Sequence, residues 1–310
     1  MENFVPQPAG LSTYAWRAIR ADDLPGIHAM LLANSPVDKP DTPPSVEHLG
    51  LLLGLLGEQV DQNTRLGITE DGTVAAAALI FIPAGEEEQV ALVEGMVHVD
   101  HRGRGLGSYL LHWIEAHVRQ AFGDAEDGKP QIIRTSCAVH QEDRIRLFEQ
   151  QGFIAARYSY KMRRSLSQPV LEARLPGGLS WVKWTPELDL PLMHAFNEAF
   201  REHYGVQEMN PESWRQLFTG VPQFRGDLTY LAMDAEKIVG FCINWVEETG
   251  QEDNRPREGW VEAIGVIPDW RGRGVASALL GHALRLFQAD GLQQAALEVD
   301  AQNQSGALRM

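Results

Sequence analysis

Two short runs of arginine and glycine are the places where this 310-residue chain could hold an anion. The first is Arg102, Gly103, Arg104, Gly105, Leu106 and Gly107, with Ser108 next. The second is Arg271, Gly272, Arg273, Gly274, Val275 and Ala276, with Ser277 next. Each follows an apolar run and opens a stretch with helical apolar spacing. A glycine-rich turn between a strand and a helix aims several backbone N–H groups at one point, where the positive end of the helix dipole also lies. Glycine lets an anion approach that backbone closely. The guanidinium groups of Arg102, Arg104, Arg271 and Arg273 can add charge-assisted bonds. A pyrophosphate is the natural guest. One such turn proves little, because glycine-rich strand-to-helix turns are common. Two copies in the same arginine register, each ending on a small residue, carry the inference.

The turns belong to a duplicated unit. Val93 to Leu111 and Val261 to Leu280 share an apolar run, a short turn, the Arg-Gly-Arg-Gly tetrad and a helical pattern. Ala18 to Pro25 opens the first copy much as Lys183 to Pro191 opens the second, each as a short strand and an acidic turn suited to a helix N-terminus. Ser165 to Gly178, with Pro169, Pro176, Gly177 and Gly178, reads as the linker. The expected domains are therefore 13–164 and 179–310, joined by 165–178.

In the first half, strands are expected at Tyr14 to Ile19, Thr64 to Thr69, Val74 to Ile82, Val90 to Val99, Ile132 to Val139 and Phe153 to Met162. Asp71-Gly72 makes a hairpin turn, and helices run from Leu106 to Phe122 and from Glu142 to Gln150. The second half repeats this with strands at Leu179 to Trp184, Leu228 to Met233, Ile238 to Val246, Trp260 to Ile267 and Ala295 to Val299. The fold class is α/β (α+β), two tandem domains, each a mixed, mostly antiparallel central sheet flanked by helices.

Composition narrows the functions. With 44% hydrophobic and 22% charged residues the chain is globular. Its 27 Lys+Arg against 42 Asp+Glu give a formal charge of −15, the wrong sign for a surface that collects nucleic acid or anionic lipid. Cys137 and Cys242 form no disulfide framework and no metal-ligand spacing, and are expected to be inert buried thiols. No metal is expected. The apolar runs are shorter than a membrane span, and the N-terminus lacks a secretory pattern, so a cytoplasmic location is expected.

The chain resembles the GCN5-related N-acetyltransferase (GNAT) superfamily, whose acyl-CoA signature is Arg or Gln, two residues, Gly, one residue, Gly or Ala. Arg102, Gly105 and Gly107 match it, as do Arg271, Gly274 and Ala276, and the element order fits nearly the whole chain. The layout resembles tandem acetyltransferases such as the mycothiol synthases, and His203-Tyr204-Gly205 with Pro211 to Trp214 looks like their second domain. A dinucleotide-binding turn competes, but it expects its glycines at the start of a βαβ unit, whereas these follow several antiparallel-looking strands.

The resemblance implies acetyl-CoA as co-substrate. The turns, with Leu106 and Ser108 or Val275 and Ser277, would hold its phosphates. The preceding strand would bond the pantetheine arm at Met96, Val97, His98 and Val99, or at Gly265, Val266 and Ile267, and would diverge from the next strand to open a wedge. Asn303 joins the cofactor set by the same resemblance. Attack by an amine of pKa about 10.4 needs a base, since the neutral form is scarce at pH 7. Glu298 in Leu297-Glu298-Val299 resembles the strand base of bacterial N-terminal-alanine acetyltransferases, and Glu262 is the other candidate.

In the first half, the position matching Glu298 is approximately Thr135. Phe148 stands where the family places a tyrosine acid, so this half is expected not to turn over. In the second half that tyrosine would fall just after Met310. His98 and His101 flank the first turn and could touch phosphate. His203 and Tyr204 could line the acceptor pocket, although packing is the commoner role. The expected partner is a small-molecule amine acceptor, with transfer by direct attack in a ternary complex. Mycothiol synthase activity proper and a non-catalytic acyl-CoA-binding or sensing protein are the alternatives.

Overall fold

A computed structural model of the chain describes residues 9–40, 43–83, 88–123, 129–170, 174–203, 206, 208–246 and 256–302. It divides into two compact units, Met1–Ile154 and Ala155–Met310.

The first unit contains β1 (Ala15–Arg17), α1 (Leu24–Asp38), α2 (Val46–Gly54), α3 (Val60–Asn63), β2 (Thr64–Ile68), β3 (Val74–Phe81), β4 (Gln89–Val97), α4 (Leu106–Phe122), β5 (Gln131–Arg134) and α5 (Glu142–Gln150). Its five-stranded sheet has the order β1-β2-β3-β4-β5, with every pair antiparallel except β4 and β5. The alanines of β3, Ala75 to Ala78, are fully buried. Their small side chains keep the sheet thin enough for helices to pack on both faces. Along α4, Leu106, Tyr109, Leu110, Trp113, Ile114 and Val118 recur at helical spacing and are buried against the sheet.

The second unit contains β6 (Ser159–Ser165), β7 (Ser180–Lys183), α6 (Asp189–Phe200), α7 (Pro211–Trp214), β8 (Tyr230–Asp234), β9 (Lys237–Val246), β10 (Glu258–Val266), α8 (Val275–Ala289) and β11 (Gln294–Asp300). The six-stranded order is β6-β11-β10-β9-β8-β7, with β10 and β11 the parallel pair. One apolar cluster joins the sheet to α8 through Val275, Leu279, Ala283 and Phe287. The other joins it to α6 and α7 through Leu192, Phe196 and Trp214.

Three expectations need correction. The strand expected at Phe153 to Met162 as the end of the first half starts at Ser159, and it pairs antiparallel with β11, from Ser159↔Asp300 to Ser165↔Gln294. Two ion pairs accompany that register, Arg157 with Asp300 and Arg163 with Glu258 of β10. Leu166, the second residue of the expected linker, is buried in the core of the second unit. The division thus falls at Ile154/Ala155 rather than at 164. The strand expected at Ile132 to Val139 ends at Arg134, where β5 leaves its neighbour.

Candidate active site

The two turns have the same backbone. Gly103 and Gly105 have φ of +73° and +87°, and Gly272 and Gly274 have +71° and +83°, a region that side-chain-bearing residues avoid. A Cβ built on any of the four would meet nothing within 4 Å, so each turn is open around its glycines. The first backbone bonds of α4 and α8 run from Tyr109 N to Gly105 O and from Ala278 N to Gly274 O, both 3.0 Å. That leaves the N–H groups of Leu106, Gly107 and Ser108, and of Val275, Ala276 and Ser277, without intrahelical partners. Open donors, glycine access and the helix dipole together fit a diphosphate. Gly107 has a further reason to be small, since a Cβ there would lie 2.8 Å from Leu147 Cδ2 on α5.

The leading arginines are engaged within the fold. Arg102 Nε donates to Val97 O (3.3 Å), and its Nη atoms hold Asp38 at 2.8 and 2.7 Å. Arg271 Nε donates to Val266 O (3.2 Å), and its Nη2 reaches Ala199 O in the last turn of α6 (2.9 Å). Each therefore clamps the end of a strand to a helix and offers a ligand its backbone more than its charge. Arg104 donates to Asp100 O (2.9 Å), while Arg273 lies over the Trp270 ring at 4.7 Å. His98 Nδ1 accepts from Asp100 N (3.2 Å), and His101 Nδ1 bonds the Tyr14 hydroxyl (3.0 Å). Burial pushes His101 below its usual pKa, so it is a neutral neighbour of the turn.

The strands diverge just before each turn. In the second unit the last parallel pair is Val261↔Leu297, so Glu262 and Glu298 are the first residues on the two arms of the fork. β10 is also bulged against β9 between Val261 and Ala263, which makes Glu262 the extra residue. A bulge turns a side chain out of the regular alternation and increases local twist. Burial, assisted by the like charge of Glu298, raises the Glu262 carboxyl to about 7, while the neighbouring Trp260 indole pulls the other way. Glu298 is exposed and accepts from Ser159 Oγ at 2.6 Å.

In the first unit the fork opens after Leu92↔Arg134, with Val93 and Thr135 at the matching positions and an unbroken β3–β4 register. Glu94 comes one residue later, is pushed up by burial, and pairs with Arg144 at 3.3 Å. Buried Asn34 on α1 donates to Val97 O (3.1 Å) and accepts from Val99 N (2.7 Å), so the backbone expected to face a pantetheine arm already has partners there. Pro268, at the position matching Val99, has no N–H to satisfy. Gly265 leaves room for Phe241, whose Cζ would lie 2.3 Å from an added Cβ. Ile267 is buried and bonds Val239 O through its N–H.

Other candidates divide plainly. Burial raises the Cys242 thiol to about 12, and burial also raises Cys137. His203 packs edge-on to Phe200 at 5.4 Å, whereas Tyr204 and Asn303 lie outside the described residues. Trp214 is fully buried with its indole N–H on Asp189 (3.0 Å), a packing role. A cavity of about 360 Å³ beside it, lined by Trp184, Asp189 and Arg215 among others, lies at the start of α6, whereas Arg271 contacts that helix's last turn. Trp260, Ser159 and Asn34 were not singled out from the sequence. Trp260 could have been found two residues before Glu262; nothing local marks Ser159, because its partner is far along the chain.

Among the described residues no group of three or more His, Cys, Asp or Glu could hold a metal ion, and no helix is long and apolar enough to cross a membrane. The Acetyltransferase (GNAT) family model matches residues 27–153 and 191–310. The chain is similar to a mycothiol acetyltransferase of Frankia casuarinae, with 28% identity over 78% of this chain and 70% of that protein. It is also similar to the crystal structure of a GCN5-related N-acetyltransferase from Sphaerobacter thermophilus, at TM-score 0.71 and 27% identity over 96% of this chain and 90% of that one. A tandem GNAT protein from the clavulanic acid biosynthesis pathway shares the fold at TM-score 0.63 and 16% identity, over 94% and 91% of the two chains.

Proposed function

The chain belongs to the acetyltransferase (GNAT) family, and from that premise we propose that its second half moves an acetyl group from acetyl-CoA to the amine of a small molecule, by direct attack with both bound. The thioester supplies an activated acyl group; the protein supplies position and a base. The observation that carries the reading is the coincidence, in the second unit alone, of an open glycine turn with a carboxylate on each arm of the adjoining fork.

The N–H groups of Val275 to Ser277 and the turn Arg271 to Gly274 would hold the diphosphate, with Gly265 to Ile267 along the pantetheine arm. Glu262, poised near 7, would take the ammonium proton that must leave before attack. Glu298 would hold the incoming cation. The first unit has the turn from Arg102 to Ser108 but neither carboxylate, and its strand end is tied to Asn34; it would support its partner without turnover.

The likeness to mycothiol acetyltransferases favours, as a second reading, an acceptor in which the amine belongs to a cysteine-linked sugar. Release of free CoA thiol from acetyl-CoA, measured against that compound and a panel of simple amines, tests both. Transfer to some amine is expected. Tight CoA binding with no transfer to any of them would overturn the enzymatic reading of the second half.

A further inference from the structure

Glu298 is held by the edge strand of its own sheet, one that precedes the second repeat in sequence. β6 precedes the second half's opening strand in sequence, yet it is hydrogen-bonded along β11. The register sets Lys161 opposite Glu298 and Ser159 opposite Asp300, so these four side chains leave the sheet on one face. Trp260, opposite Ala296, belongs to that face too, with Lys161 Nζ 5.7 Å from its ring centroid and Glu262 two residues further along the same strand. The result is a pair of contacts reaching from β6 to the two arms of the fork: Ser159 to Glu298 on one, Lys161 to Trp260 on the other.

Of these residues Ser159 has a distinct task. Its Oγ is 2.6 Å from Glu298 Oε1, and a hydroxyl can only donate to an ionised carboxylate. Such a bond fixes one oxygen, leaving the other for a ligand. Glu298 is exposed and would otherwise rotate freely on its three side-chain torsions. Resting on the reading of the fork as the acceptor site, we propose that Ser159 is a positioning residue there, fixing the Glu298 carboxylate as the counter-ion for an acceptor that arrives as an ammonium cation. β6, an edge strand of the second unit, thereby shapes the specificity of that unit's site.

The test compares a cation with an uncharged body of the same shape. The full chain, saturated with CoA, is titrated calorimetrically with benzylammonium and with benzyl alcohol, for the wild type, Ser159→Ala, Ser159→Thr and Glu298→Gln. The wild type is expected to prefer the cation by roughly tenfold, the scale of one hydrogen bond to a charged group. Ser159→Ala and Glu298→Gln should lose that preference while binding the alcohol unchanged, and Ser159→Thr should keep it. Ser159 lies on an exposed strand, so loss of folding would show as weaker binding of both ligands and is separable. A wild type that does not distinguish the two ligands, or a Ser159→Ala that prefers the cation as the wild type does, overturns the proposal. Acetyl transfer by the wild type is read in parallel. Transfer without a Ser159-dependent preference sinks the counter-ion role alone, and a Ser159-dependent preference without transfer to any amine sinks the catalytic reading alone.

Discussion

Replacing Glu262 with glutamine should disable the enzyme and stabilise it, but the stabilisation should exist only at high pH. Glutamine keeps the shape but carries no charge. In the folded chain the Glu262 carboxyl is raised from 4.5 to about 7, chiefly because burial disfavours the anion. A raised folded value means that the native state binds the proton more tightly than the unfolded one. The associated stability is complete below about 4.5 and is lost as pH rises through about 7. The shift corresponds to about 3 kcal/mol at pH well above 7.

Urea denaturation of the full chain, followed from pH 4.5 to 8.5, is the assay. The wild type should lose stability relative to Glu262→Gln as pH rises, reaching roughly 3 kcal/mol, with no difference at the acid end. Acetyl transfer by the variant should fall by roughly 10² to 10⁴. Parallel stability curves for the two proteins would refute the reasoning, because they would mean that the carboxylate is solvated and not poised. Unimpaired transfer would remove Glu262 from the chemistry.

Two further substitutions probe the packing around the site. Gly265→Ala places a Cβ 2.3 Å from the ring of fully buried Phe241 and should cost about 1–3 kcal/mol, whereas Gly95→Ala, which meets nothing within 4 Å, should be nearly neutral; urea midpoints decide. His282 is stacked on Trp181 at 4.4 Å, and its buried Nε2 has no hydrogen-bond partner among the described residues. Burial, then Arg285, depresses its pKa, so its neutral form is favoured in the fold and stability should be lost as pH falls below about 6.5. His282→Phe should flatten that acid-side loss, and an unchanged pH dependence would rule the residue out.

Local chemistry was legible in the sequence. The bounds of α4, Leu106–Phe122, and α5, Glu142–Gln150, follow from apolar periodicity between glycine and polar stops, and the turn glycines adopt the backbone that their type permits. The repeat placed the two turns at matching positions because the same pattern recurs in both halves, but the strands already part after Leu92 and Val261, several residues before the expected Met96 and Gly265. What escaped depends on residues distant along the chain. Nothing around Ser159 says that its strand pairs with Asp300 rather than with a neighbour in the first half. The type of the arginines suggests charge-assisted bonds to an anion, but Asp38 and Ala199 O, on helices well upstream, engage Arg102 and Arg271. The bulge at Glu262 is a mismatch of length between β9 and β10, visible only once the two are paired.

The central claim is that the turn at Arg271 to Ser277 holds the diphosphate of acetyl-CoA and that the chain's turnover depends on it. Calorimetric titration of the full chain with acetyl-CoA, comparing the wild type with Gly274→Val and Gly105→Val, tests this most directly. A valine at φ +83° strains the backbone and fills the open side of the turn, so Gly274→Val should lose the binding that supports transfer and all activity. Gly105→Val should keep both, apart from any cost in stability. Undiminished acetyl-CoA binding by Gly274→Val, or equal loss of activity from the two substitutions, would contradict the account.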